Sequence, residues 1–245
     1  MKLETKKIKE KIYKISAKTD RGQRLNKLIA PMYQENLKEI RSLTKELIAF
    51  NSEVNEKKLN GDWELIFSDV ELFRSSPFFL AIEKALDNQK RSDLFFKLHQ
   101  LQVCSFGLST IGKVSQKINF TKREFISTFD TTIFGLTTIP IFGWFKLLPT
   151  FGGRVITFAD DLALNKNILK MTLQKTKVSE VEGLERIPLF SDLLMDRWYQ
   201  VKTIWEKLPW NINKPSLEIF IKYLDENMRI MEDMYGSIFV YVRKK

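Results

Sequence analysis

The chain has 245 residues, 44% of them apolar, which is enough for a full hydrophobic core in one or two domains. Its formal charge is +10, from 40 Lys and Arg against 30 acids, and it is concentrated in the first 24 residues, where nine basic residues face three acids. That distribution argues against a basic groove along the rest, while a single cysteine (Cys104) excludes an internal disulfide or a thiolate metal cluster, and a single histidine (His99) has no neighbours that suggest a zinc site or a Ser-His-Asp triad.

The opening "MKLETKKIKEKIYKIS" places Leu3, Ile8, Ile12 and Ile15 near one helical stripe among lysines. Such a basic end can serve nucleic acid, an anionic membrane surface, or simply a solvated helix face. It lacks the continuous apolar stretch of a secretory leader. Being Lys-rich with interspersed acids, it is also unlike a transit peptide, which suits a mature form or a chain encoded within an organelle. "KTDRGQR" (18 to 24) predicts a turn around Asp20 and Gly22. A helical run from Leu25 is followed by a fresh helix starting at Pro31 and continuing through Leu37, Ile40, Leu43, Leu47 and Ile48.

After Gly61 the period changes from about 3.6 to 2. Trp63, Leu65 and Phe67 share a strand face, as do Val114, Gln116, Ile118 and Phe120. Phe125, Ser127 and Phe129 continue the pattern, then Leu169, Met171 and Leu173. "LEIFIKYLD", "MRIMED" and "SIFVYVRK" supply three more strands. The total is about eight or nine strands between 62 and 243. Two helices are expected within them. "PFFLAIEKAL" follows Ser76, a good N-cap, with Pro77 at its first position. "FSDLLMDRWYQVKTIWEKL" sets Phe190, Leu194, Trp198, Val201 and Trp205 on one stripe. The expected organisation is an N-terminal helical segment (1–58) and a mainly β domain (59–245), an antiparallel sheet long enough to close into a barrel. Closure removes exposed edges, and eight strands can hold one small ligand.

Candidate catalytic groups are few. Asp160 and Asp161 are adjacent, so on a strand they face opposite sides and make a poor pair. "SEVEGLE" (179 to 185) lacks calcium-loop spacing, and there is no phosphate-cradling glycine motif and no GxSxG elbow. Cys104 reads as a buried thiol, and His99 as a satisfied polar residue on a strand. No enzymatic activity is expected. Nucleic acid is not an expected partner, since only the sequence pI of about 9.5 would favour it.

"GDW" at 61 to 63 opens the first expected strand, and Gly-x-Trp at that place is typical of lipocalin-like barrels. "TDRG" (19 to 22), "LNGDWELIFSD" (59 to 69), "RSSPFF" (74 to 79), "YLDENMRI" (223 to 230) and "GSIFVYVRK" (236 to 244) follow one another in that order. In this combination the chain resembles the plastid lipid-associated proteins, or fibrillins. The resemblance spans nearly the whole chain. It implies a lipocalin-like barrel in plastids, associated with thylakoids or lipid droplets (plastoglobules) and binding carotenoids, quinones or other lipids without catalysis. The matched positions include Asp20, Arg21, Gly22, Gly61, Trp63, Arg74, Ser75, Ser76, Pro77, Phe78, Tyr223, Leu224, Asp225, Arg229 and Ile230. Two departures are visible. Where the family carries an Arg-Gly-Asp-Gly-like turn this chain reads "MEDMYGS", and the stretch from Glu185 to Lys214 looks more helical.

The expected ligand wall is Trp63, Leu65, Phe67, Ile118, Phe120, Phe129, Leu169, Met171 and Leu173. Arg229 or Arg243 is expected to stack on Trp63 and lock closure, and Asp225 to pair with an arginine such as Arg74 at a rim. The other reading is a structural or assembly subunit of a photosynthetic membrane complex whose barrel is filled by its own side chains.

The stretch "TTIFGLTTIPIFGWFKLLPTFGG" (131 to 153) has the length of a membrane span, but its glycines, prolines and strand-like flanks predict a hairpin with an apolar tip. Ile139, Ile141, Phe142, Trp144, Phe145, Lys146, Leu147 and Leu148 would either close over the barrel mouth or meet lipid or a partner.

Overall fold

The computed structural model describes residues 2–23, 31–50, 53–105, 108–134, 136–138, 145–147, 151–179, 197–206 and 214–244. In chain order the helices are α1 (Lys2–Lys18), α2 (Pro31–Ala49), α3 (Glu56–Leu59), α4 (Pro77–Leu86), α5 (Gln89–Ser105) and α6 (Val201–Trp205). The strands are β1 (Gly61–Ser68), β2 (Leu108–Asn119), β3 (Glu124–Phe134), β4 (Leu136–Thr138), β5 (Phe145–Leu147), β6 (Phe151–Asn165), β7 (Ile168–Ser179), β8 (Tyr199–Gln200), β9 (Ser216–Leu224), β10 (Met228–Glu232) and β11 (Ile238–Arg243).

Eight of these strands pair in a closed ring, β1-β2-β3-β6-β7-β9-β10-β11, with β11 returning to β1. Each neighbouring pair is antiparallel. β8 adds two pairs to β7 beyond the point where β9 stops. β4 and β5 form a separate ladder between β3 and β6. Register shifts interrupt β1–β11, β2–β3, β6–β7 and β9–β10. Bulges of this kind bend and twist strands, as closing a sheet requires.

The two faces of the ring bury different material. One cluster draws residues from all eight ring strands, including Trp63, Val114, Phe125, Ala159, Leu169, Ile219, Met231 and Tyr241, so it lies inside. A second cluster joins Ile8, Ile12 and Ile15 of α1 and Ile40, Leu43 and Leu47 of α2 to Tyr223, Met228, Ile230, Ile238 and Val240, the outward side chains of β9 to β11. The alternation along β11 separates them cleanly. Phe239 and Tyr241 point in, whereas Ile238 and Val240 point out.

Polar ties fix the helices to the ring. Arg41 of α2 donates to Asp69 from Nη2 (2.6 Å) and Nε (3.1 Å), and Asp69 also accepts from the Ile238 N–H at 2.8 Å. Lys9 of α1 pairs with Asp225 at the β9–β10 turn. The Asp20-Arg21-Gly22 turn docks on the ring itself. The Ser68 N–H donates to the Arg21 carbonyl at 3.0 Å. Arg21 donates to the Ile111 carbonyl at 2.8 Å and also to that of Gly112.

Three expectations change. His99 lies in α5, not on a strand. Trp198 is exposed on the outside, against the ammonium groups of Lys175 and Lys177 at 4.7 and 5.3 Å, whereas Val201 and Trp205 are buried in the inner cluster. Phe190 and Leu194 lie outside the described residues. The helix expected over 190–208 is described only as Val201–Trp205. Across the apolar stretch, Leu136 pairs with Leu147 and Thr138 with Phe145, a strand ladder. Among the described residues no helix is long and apolar enough to cross a membrane.

Candidate functional site inside the strand ring

The inner face is closed around Trp63. Its side chain is fully buried, and its indole N–H donates to the Leu59 carbonyl at the end of α3, at 2.8 Å. The Arg243 guanidinium lies 4.4 Å from the indole centroid and that of Arg229 lies 5.0 Å from it, so both arginines meet the ring. Arg243 also donates to three backbone carbonyls: Glu226 (2.7 Å), Asn60 (2.8 Å) and Lys58. It thereby ties the end of β11 to α3, to the start of β1 and to the β9–β10 turn. Gly61 makes room for it, since a Cβ there would stand 2.5 Å from Arg243 Nη1.

Arg229 has a different environment. It is 0% exposed. Its Nη2 donates to Gln116 Oε1 at 2.6 Å, and its guanidinium stands 4.4 Å from the Tyr241 ring. Gln116 Nε2 donates to the Tyr241 hydroxyl (2.8 Å) and, more weakly, to the Ser75 carbonyl (3.4 Å). Arg229 Nε and Nη1 have no hydrogen-bond partner, and no ion pair is formed by this side chain among the described residues. Burial, helped by the nearby Arg243 charge, lowers the Arg229 guanidinium to about 10, so it still carries its charge at neutral pH. Burial likewise pushes the Tyr241 phenol up to about 12. The polar band continues around the ring. Ser127 is directly opposite both Gln116 and Thr157, and Thr157 is opposite Thr176. The Ser127 hydroxyl is buried without a partner.

Most of the expected ligand wall is inside. Trp63, Leu65, Ile118, Phe129, Leu169, Met171 and Leu173 belong to the inner cluster, and Phe120, in the turn after β2, packs half-buried against it. Phe67 does not. It packs with α1 and α2 on the outer face, because the register shifts by one residue between Leu65 and Phe67 and the alternation inverts there. Gln116, Ser127 and Tyr241 were not expected as site residues, although simple alternation puts Gln116 between the inward Val114 and Ile118. A polar residue at an inward position was the available signal.

The rim motif is built otherwise than expected. Asp225 does not meet Arg74. It accepts from Tyr223 Oη at 2.6 Å and from the Asn227 and Met228 N–H groups at 2.9 Å each, besides pairing with Lys9. Burial alone would raise this carboxyl, but Lys9, Tyr223 and the Asn227 N–H hold it below the usual range. Arg74 instead donates to Glu83 of α4 at 2.7 Å, while its guanidinium covers the Phe96 ring at 4.3 Å. Phe73, Phe79 and Phe96 pack edge to face or tilted around it. Pro77 begins α4 after Ser76, but the Ser76 side chain makes no capping bond. Ile139, Ile141, Phe142, Trp144 and Leu148 lie outside the described residues. Phe145, Lys146 and Leu147 are the backbone of β5.

Glu83 is only 1% exposed, on the helical stripe of Ser76 and Leu80. Burial first, and the Asp233 charge second, push its carboxyl from 4.5 to about 7 against the pull of Arg74. The folded state therefore holds this proton more tightly than the unfolded chain. The contribution of Glu83 to stability is largest below about pH 4.5, falls as pH rises through the interval, and is lost above about pH 7. Glu83→Gln removes that dependence and keeps an acceptor for Arg74. Between about pH 5 and about pH 8 the parent should lose roughly 2–3 kcal/mol relative to the variant, read from urea midpoints. Parallel profiles for the two proteins would show that Glu83 is ionised throughout.

No protein-family model, curated protein or solved structure matches the chain.

Proposed function

We propose that this chain is a lipocalin-like barrel of the plastid lipid-associated protein (fibrillin) family. It binds or organises an apolar lipid, such as a carotenoid, a quinone or an acyl lipid, at thylakoid or lipid-droplet surfaces, and it has no enzymatic activity. The observation that carries this reading is the closed ring of eight strands whose inward side chains form one apolar cluster around a doubly stacked Trp63. Interiors of eight-stranded rings are of the size that either packs side chains or holds one small ligand. Apolar burial contributes about 25 cal/mol per Å² removed from water, so such binding needs no reactive group. The basic face of α1 and the 139–148 stretch would supply the membrane contacts.

The test is organic extraction of the purified full-length protein, followed by absorbance and mass analysis. A stoichiometric pigment, quinone or acyl lipid is the expected result. A clean extract, together with co-migration with a membrane complex on native gels, would instead favour an assembly subunit with a self-filled interior. The continuity of the inner cluster is what gives that second reading its weight.

A further inference from the structure

Two arginines meet Trp63, and they are bonded differently. Arg243 makes the tighter stack and gives its hydrogens to three backbone carbonyls. Arg229 has no such set of acceptors. It is fully buried, bonds only to a neutral amide and leaves Nε and Nη1 unpartnered. Burying a guanidinium without a counter-ion is costly, and buried charges are as a rule paired, so the unpartnered donors of Arg229 call for an explanation. The same inward band holds a second unspent donor, the Ser127 hydroxyl, directly across the ladder from Gln116.

We propose that Arg229 receives the carboxylate of an apolar-chain acid, with Gln116 and the Trp63 and Tyr241 rings fixing the guanidinium. The inference rests on the lipid-binding reading above and narrows it to a headgroup class. Charge balance selects a monoanion. The one fully buried cation, Arg229, is neutralised by one carboxylate, whereas a phosphate dianion would bring a second negative charge into the buried interior. Charge-assisted N–H···O bonds are the strong ones, and the headgroup would have to outbid water for these donors. The alkyl part would lie along the inner apolar cluster.

The test is calorimetric titration of the full chain with dodecanoate, dodecanol and dodecyl phosphate at neutral pH. Dodecanoate should bind at least about ten-fold more tightly than dodecanol, as a single charge-assisted contact predicts. Arg229→Met should bring acid and alcohol to similar affinity, and Arg229→Lys should restore part of the preference. Equal binding of acid and alcohol by the parent protein would overturn the headgroup inference and leave the apolar reading standing. Tighter binding of the phosphate would also overturn it. Binding of none of the three would likewise overturn the headgroup inference, while the lipid reading itself stands or falls on the extraction test above. The comparison of ligands on the parent protein holds even if a variant fails to fold.

Discussion

Trp63→Ala should lower the unfolding free energy by about 3–5 kcal/mol, the range for removing a large buried aromatic side chain. Several losses coincide at this position. The indole N–H bond to the Leu59 carbonyl disappears, and both arginines lose the ring they cover. Arg229 would then be a buried cation with one less compensating neighbour. A void would open where β1 meets β2 and β11, since Trp63 faces Gln116 on one side and Arg243 on the other. For a chain of this length the melting midpoint should fall by roughly 6–20 °C. A midpoint close to that of the parent would mean that Trp63 does not hold the ring closed.

The second large effect is expected far from Trp63 in sequence. Gly22→Ala should destabilise by at least about 3 kcal/mol. A Cβ at Gly22 would stand 1.9 Å from the Ser68 carbonyl oxygen, which is backbone and cannot swing aside, and 3.0 Å from Phe67 Cε2. The residue also has φ of +89°, a region that L side chains occupy only at about 1–2 kcal/mol. Relief requires the turn to lift off β1. Lifting it breaks the Ser68 N–H bond to the Arg21 carbonyl and the Arg21 bonds to Ile111 and Gly112, each worth about 1 kcal/mol. The urea midpoint should drop with little change in slope, since the extent of surface exposed on unfolding stays the same. A drop of less than about 1 kcal/mol would show that the turn is only loosely docked.

Alternation made the sheet readable. β1, β2, β3, β7, β9 and β11 carry inward apolar residues at period 2, β10 sends Met231 inward beside Arg229, and every one of these strands was expected. Helix α5 was not, because "QKRSDLFFKLHQLQVCS" mixes polar and apolar residues without a clear stripe, which left His99 assigned to a strand. Phe67 illustrates a limit of the same rule. A one-residue register shift inverts the face, and nothing in the composition of "WELIFS" marks where it occurs. An arginine on Trp63, Arg229 or Arg243, was legible in the sequence, but not that both meet the ring, and the pairing of Arg74 was not legible either. Asp225 and Glu83 are both acids at plausible distances along the chain. Only the packing of α4 against the Phe73–Phe79–Phe96 group decides between them. Arg229 was legible as a stacking residue, but not as a cation left without a counter-ion. That property depends on what every neighbouring strand fails to present.

The outer cluster joins α1 and α2 to β9, β10 and β11, which follow much later in the chain. At about 5–20 residues per second, roughly 10–40 s separate synthesis of α1 from that of β11. Through that interval the isoleucine stripe of α1 can reach α2 but not the surface of Tyr223, Met228, Ile230, Ile238 and Val240 that finally covers it. Ring closure and helix docking therefore depend on the same C-terminal strand. A nascent or truncated chain lacking Ile238–Arg243 would have an open β1 edge and would leave α1 and α2 without Ile238 and Val240 of the surface that covers them. Quality control that senses either feature would recognise an unfinished molecule by its helices as well as by its open sheet edge.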